Sequence, residues 1–96
     1  MIINYEKRDI LYKAVMALKS EEECAAFFED LCTPQELNAI VQRLEVAKLL
    51  TEGKVYKQIV DVTHASTATI SRVNKTLSYQ ATGGYKTVLD RLEEEE

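Results

Sequence analysis

The stretch of residues 55–78 constrains the fold of this 96-residue chain more than any other part of it. A short apolar-patterned segment is followed, after a few polar residues, by Ser66, whose side chain can cap the start of a helix. Ile70, Val73 and Leu77 then recur three and four residues apart, which places them on one face of that helix. The pattern predicts two short helices joined by a tight turn, which is a helix-turn-helix.

The opposite face of the second predicted helix is small, polar and basic. Such a face fits the major groove of DNA, where hydroxyl and methyl groups contact base edges and cations contact phosphates. We therefore predict that it binds double-stranded DNA. After the capping Ser66, the small residues are Thr67, Ala68, Thr69 and Ser71, and the cations are Arg72 and Lys75.

A helical hairpin with an apolar stripe is also typical of any small all-α core, so the pattern alone leaves both interpretations open. The distribution of charge favours DNA. Residues 54–78 carry a net charge of +3, whereas residues 1–53 carry −4 and residues 79–96 carry −3. The basic charge is thus concentrated in the segment whose shape fits a groove, and the rest of the chain is acidic.

Apolar residues recur at helical spacing along nearly the whole chain, which contains one proline and three glycines. We predict an all-α chain that forms a single domain over residues 1–96, because this length leaves no room for two cores. Serine-to-glutamate and threonine-proline-glutamate patterns predict two of the helix starts. The helices predicted outside the helix-turn-helix run from Tyr5 to about Lys19, from Ser20 to about Leu31, from Thr33-Pro34 to Gly53, and from Tyr85 to Glu93.

Several classes of protein are disfavoured by what the sequence lacks. Neither a secretory signal nor an apolar run long enough to span a membrane is present, which predicts a cytoplasmic protein. Cys24 and Cys32 are expected to be small buried hydrophobic residues rather than a disulfide, and with His64 they make a poor zinc site. We expect no metal and no cofactor. No nucleophile has a plausible base beside it, so we predict that the chain is not an enzyme.

Further motifs surround the helix-turn-helix. They are Thr33-Pro34-Gln35-Glu36, Arg43, Leu49-Leu50, Gly53, the string Ala65-Ser66-Thr67-Ala68-Thr69-Ile70-Ser71-Arg72, Tyr79 and Gly83-Gly84-Tyr85. Over about residues 31–92 this set resembles the Trp repressor superfamily, and more closely the YerC/YecD-type Trp-repressor-like proteins. The resemblance implies a six-helix chain that forms an intertwined homodimer. The first, second, third and last helices would build the shared core, and each chain would present one helix-turn-helix.

The resemblance also implies roles for individual side chains in DNA binding. Thr67, Ala68 and Ser71 would face bases, and Lys57 would lie near the DNA backbone or a guanine edge. Two departures affect the motif itself. His64 stands where glycine is preferred and would need a positive φ, and Val55 stands where a capping serine or threonine is common.

A third departure concerns a possible effector pocket. In the family's repressor, tryptophan lies between two arginines that correspond to Arg43 and Arg72, near hydroxyls that correspond to Thr33 and Thr76. Val73 replaces a glycine against which the indole ring packs in that repressor. Its methyl groups would project into the space between the two arginines, so we predict that tryptophan is not a ligand of this chain. The sequence leaves open whether another small molecule acts as an effector.

These observations predict a homodimeric, sequence-specific transcriptional regulator that binds a palindromic operator. Repression is favoured over activation, because nothing in so short a chain is left over to recruit polymerase. The alternative is a dimeric adaptor that uses the same helical hairpin to dock another protein. Runs of acidic residues near both ends of the chain keep that alternative open.

Overall fold

The computed structural model describes residues 5–79 and 82–95. These residues form six α-helices and no β-strand, which confirms the predicted all-α class. The predicted helix ends are correct to within about two residues, the largest differences being the ends of the first and third helices. The helices are α1 Tyr5–Ala17, α2 Glu21–Leu31, α3 Pro34–Thr51, α4 Tyr56–Thr63, α5 Thr67–Ser78 and α6 Gly84–Glu94.

The chain divides into two compact units, one that reaches to Leu37 and one that begins at Asn38. The first unit holds α1, α2 and the first turn of α3. The second holds the rest of α3 together with α4, α5 and α6. The single domain over residues 1–96 stays a prediction.

Two helices begin where the sequence predicted capping motifs. Thr33 Oγ1 accepts a hydrogen bond from the Glu36 N–H at 3.1 Å, and Glu36 Oε1 accepts one from the Thr33 N–H at 2.9 Å. This exchange satisfies free donors at the start of α3. The hydrogen bond from the Thr33 backbone to the carboxylate, followed by that from its hydroxyl, holds the pKa of Glu36 below its ordinary value. At α2, Ser20 Oγ likewise accepts from the Glu23 N–H at 3.1 Å.

Among the side chains described in the first unit, none is fully buried. Phe27 and Phe28 of α2 meet edge to face with ring centroids 5.5 Å apart, and both are half-buried. Cys24 and Cys32 are free thiols, and they are half-buried rather than fully buried as expected. The large hydrophobic side chains that are exposed in the described part of this unit are Ile10, Leu11, Tyr12, Val15, Met16 and Leu31.

The second unit contains the buried core of the chain. The six buried apolar residues among those described come from α3, α4, the turn after α4, and α5, so the core fastens the helix-turn-helix to α3. The predicted inward stripe of α5 is confirmed, because Ile70 and Val73 are buried and Leu77 packs against them half-buried. The six are Val46, Ala47, Ile59, Ala65, Ile70 and Val73.

Two features are absent from the described residues. No helix that they form combines the length and the apolar character needed to cross a bilayer. No three or more of their histidine, cysteine, aspartate and glutamate side chains are grouped so that they could hold a metal ion.

His64 adopts the left-handed conformation that its place in the turn required, with φ 60° and ψ 16°. We expect His64→Gly to raise the free energy of unfolding by about 0.5–1 kcal/mol, because glycine adopts this conformation without a Cβ clash. Urea denaturation measures the change. His64→Ala is the matched control, since it keeps the Cβ and should give no such gain. An equal gain from both variants would show that backbone strain at His64 is not the cause.

Candidate nucleic-acid interface

Helices α4 and α5 form the predicted helix-turn-helix, separated by the three residues 64–66. The turn is fixed by the last residue of α4. The buried Thr63 donates its hydroxyl to the Ile59 carbonyl at 2.8 Å and accepts the Ala65 N–H on Oγ1 at 3.1 Å. Because Ala65 is itself part of the core, both sides of the left-handed His64 are anchored.

Two hydroxyl groups cap the start of α5. Ser66 Oγ accepts the Thr69 N–H at 3.1 Å, and the Ser66 hydroxyl donates to Thr69 Oγ1 at 3.1 Å. These bonds confirm the predicted capping role of Ser66, and the DNA-binding roles of Ser66 and Thr69 stay predictions. The side chains that are free in the first turn of α5 are therefore Thr67 and Ala68, and both are exposed.

The outer face of α5 is exposed and basic. Arg72 and Lys75 are exposed, as is Lys57 on α4, whereas Ser71 is half-buried. No carboxylate among the described residues forms an ion pair with any of these three cations. An ion pair does form on α6, where Lys86 Nζ lies 2.9 Å from Asp90; the hydrogen bond and the charge of that carboxylate raise the pKa of Lys86.

The start of α4 lacks the side-chain cap that a serine or threonine would give, as the sequence indicated for Val55. The reciprocal bond of a capping box is present, because Gln58 Oε1 accepts the Val55 N–H at 3.0 Å. Sequence reasoning missed this contact, although glutamine three residues after a cap position is a recognised pattern. A second missed contact, Asn74 Nδ2 to Tyr56 Oη at 3.4 Å, joins α5 to α4 and has no local sequence pattern.

The residues of the predicted effector pocket fall in both units and differ in exposure, and the pocket itself stays a prediction. Val73 is only 3% exposed and belongs to the core, while Arg43 and Arg72 are exposed. The Thr76 hydroxyl donates to the Arg72 carbonyl at 3.2 Å, and Thr33, in the other unit, caps α3. The second unit has an open groove of about 760 Å³ between α3, α5 and the start of α6. Of Arg43, Arg72, Val73 and Thr76, Thr76 alone lines it.

Comparison with known proteins agrees with this geometry. The family model described as Trp repressor protein matches residues 6–93. The uncharacterised protein YerC of Bacillus subtilis (strain 168) is 49% identical over 88 residues, which cover 92% of this chain and 84% of YerC.

Two crystal structures have the same fold. A TrpR-like protein from Eubacterium eligens ATCC 27750 superposes with a TM-score of 0.87 at 45% identity, covering 92% of this chain and 90% of that one. A candidate Trp repressor from Staphylococcus aureus superposes with a TM-score of 0.86 at 40% identity, covering 96% of each chain. Matching sequence and matching fold over nearly the whole length lead to one conclusion: the chain belongs to the Trp repressor family.

Proposed function

We propose that this protein is a transcriptional regulator that binds specific sequences of double-stranded DNA in the cytoplasm, as a homodimer. The observation that carries the proposal is the outer face of α5, where two exposed small side chains, Thr67 and Ala68, precede two exposed cations, Arg72 and Lys75. Membership of the Trp repressor family points to a DNA-binding regulatory role rather than an enzymatic one.

The proposed roles follow from side-chain chemistry and position. Burial of Ile70 and Val73 fixes the rotation of α5, so that the opposite face points away from the core. Thr67, Ala68 and Ser71 offer hydroxyl and methyl groups to base edges in the major groove. Lys57, Arg72 and Lys75 neutralise phosphates and supply affinity that does not depend on sequence. We assign repression, because a bound dimer excludes polymerase wherever its operator overlaps a promoter.

The homodimer is proposed from the balance of exposed and buried apolar side chains. Fifteen large apolar side chains of the described residues are exposed, whereas six apolar residues are buried. A chain this small has little core of its own, and a second copy is the partner that covers such surface in helix-turn-helix repressors. In dimers of this class, among which the Trp repressor is a standard example, two recognition helices lie about 34 Å apart, so the operator is an inverted repeat.

One observation favours the alternative of a protein-docking adaptor. Val55 and Val62, at the two ends of α4, are each 61% exposed, and neither residue type suits a DNA phosphate. Selection from random-sequence duplex DNA distinguishes the two functions. Convergence on an inverted repeat supports the regulator, and the absence of any enriched sequence supports the adaptor.

The first prediction from this proposal concerns assembly. We expect light scattering to give twice the chain mass down to low micromolar concentration, because the exposed apolar residues of α1 need a partner. The thermal unfolding midpoint should rise with protein concentration, since dilution favours separate chains. A folded monomer, or a midpoint indifferent to dilution, would contradict the dimer.

The second prediction separates base contacts from phosphate contacts. Thr67→Ala and Ser71→Ala should each weaken binding to the selected site by about 1–3 kcal/mol and relax base preference. Lys57→Ala and Lys75→Ala should weaken binding to all sequences alike and reduce the salt slope by about 1. Fluorescence anisotropy over a series of salt concentrations measures both effects.

The control for these variants is Lys86→Ala. Lys86 is paired with Asp90 on α6, outside the helix-turn-helix, so its loss should leave the DNA affinity and the salt slope nearly unchanged. If the four variants of α4 and α5 behaved alike on every sequence, the division between base contacts and phosphate contacts would be wrong.

The third prediction concerns tryptophan. The buried Val73 fills the position where the family's repressor needs a glycine, and inserting a ring into an occupied site costs about 1–3 kcal/mol. We expect calorimetric titration with millimolar tryptophan to show no heat of binding, and the affinity for DNA to be unchanged by tryptophan.

Val73→Gly tests the same argument from the other side. It removes the obstructing methyl groups and is the variant that should gain an indole site, while losing about 2 kcal/mol or more of stability. Val73→Ala is the matched control, because it retains the Cβ. Saturable binding of tryptophan to the unsubstituted protein, or DNA affinity that rises tenfold with tryptophan, would restore the corepressor model.

A further inference from the structure

Gln42 connects α3 directly to the helix-turn-helix. Its Nε2 donates a hydrogen bond of 3.2 Å to the backbone carbonyl of Thr63, and the bond is partly buried and spans 21 positions of sequence. Thr63 is the last residue of α4. Among the described residues, this is the side-chain hydrogen bond that runs from α3 to the helix-turn-helix.

The acceptor is a group that needs a partner. The last four carbonyls of a helix have no intrahelical donor, and they form the negative end of the helix dipole. Because the Thr63 residue is only 9% exposed, an unpaired carbonyl would carry the cost of a buried polar group. The amide of Gln42 supplies the missing donor from a half-buried position on α3.

Only residues 64–66 separate the Thr63 carbonyl from α5, which is the recognition helix under the proposed function. Thr63 also fixes Ala65 through its hydroxyl, His64 between them is left-handed, and Ser66 caps α5. Because residues 64–66 are constrained in this way, the position of Thr63 determines the position of the first turn of α5. Apolar contacts of the core are not directional, whereas this hydrogen bond fixes where the end of α4 lies along α3.

We propose that Gln42 is a positioning residue for DNA recognition, which holds the turn and thereby the start of α5 on α3. The effect of Gln42 on discrimination between DNA sequences rests on the proposed function. The effect of Gln42 on the turn does not depend on that function and is measured without DNA.

Hydrogen exchange of the backbone amides of residues 64–70 is the first test. Gln42→Met keeps the length of the side chain but removes the donor, so exchange in this segment should become about fivefold or more faster, with α2 unaffected. Gln42→Lys restores a donor at a helix end that favours cations and should return exchange close to that of the unsubstituted protein. Gln42→Glu places an acceptor against the carbonyl and should have the largest effect.

The control is Gln35→Met, the same substitution at an exposed glutamine in the first turn of α3. It should leave exchange in residues 64–70 unchanged. A contribution from packing alone predicts similar results for Gln42→Met, Gln42→Lys and Gln42→Glu. Equal exchange in these three variants, or no change in Gln42→Met, would overturn the assignment.

The second test uses DNA and measures the ratio of affinities for the selected site and for random duplex. We expect this ratio to fall about tenfold in Gln42→Met and to recover in Gln42→Lys, since a loosened α5 loses base contacts before phosphate contacts. If the unsubstituted protein prefers no sequence, the proposed function fails, while hydrogen exchange still decides whether Gln42 holds the turn. A normal ratio in Gln42→Met would overturn its role in recognition.

Discussion

The burial of Val73 and Ile70 against α3 is the interaction on which the rest of the second unit depends. These two side chains join Val46, Ala47 and Ile59 in a core that draws residues from three helices. Because every side chain in it is aliphatic and small or medium in size, the core tolerates little loss of volume. It also decides which face of α5 points outward. The same contact therefore sets both the stability of the unit and the identity of its exposed surface.

Val73 has a further importance within the family to which the chain belongs. A glycine at this position would leave a gap between the recognition helix and the body, which a ligand could fill. With valine the chain provides that apolar contact itself. Under the proposed function, placing the recognition helix then requires no tryptophan.

Much of this architecture could be predicted from the sequence, because it depends on local chemistry. The helix starts at Ser20, Thr33 and Ser66 have capping residues that act within three positions, and each was found with its expected hydrogen bond. The apolar stripe of α5 and the positive φ of His64 are likewise consequences of short-range spacing. Periodicity and turn chemistry specify such features without knowledge of the tertiary structure.

The contacts that escaped prediction are those in which distant residues meet. Gln42 looks like any polar residue of a helix until Thr63 is found beside it, 21 positions later. The pair Tyr56 and Asn74 has the same character. Residue type also did not show that the Ser66 hydroxyl donates a hydrogen bond to Thr69 Oγ1, which adds a contact to the predicted cap. The half-burial of Cys24 and Cys32 depends on neighbours that the helical pattern does not specify.

The short turn between α4 and α5 determines how this chain can change in evolution. Thr63 and Ser66 are hydrogen-bonded and Ala65 is buried, so the three residues 64–66 contain no slack. A residue inserted or deleted between the Ser66 cap and Ile70 would rotate the rest of α5 by about 100° relative to that cap, the angle between successive helical positions. That rotation would move Ile70 out of the core and bring polar residues into it. This segment can therefore vary by substitution, whereas a change in its length would disrupt the core.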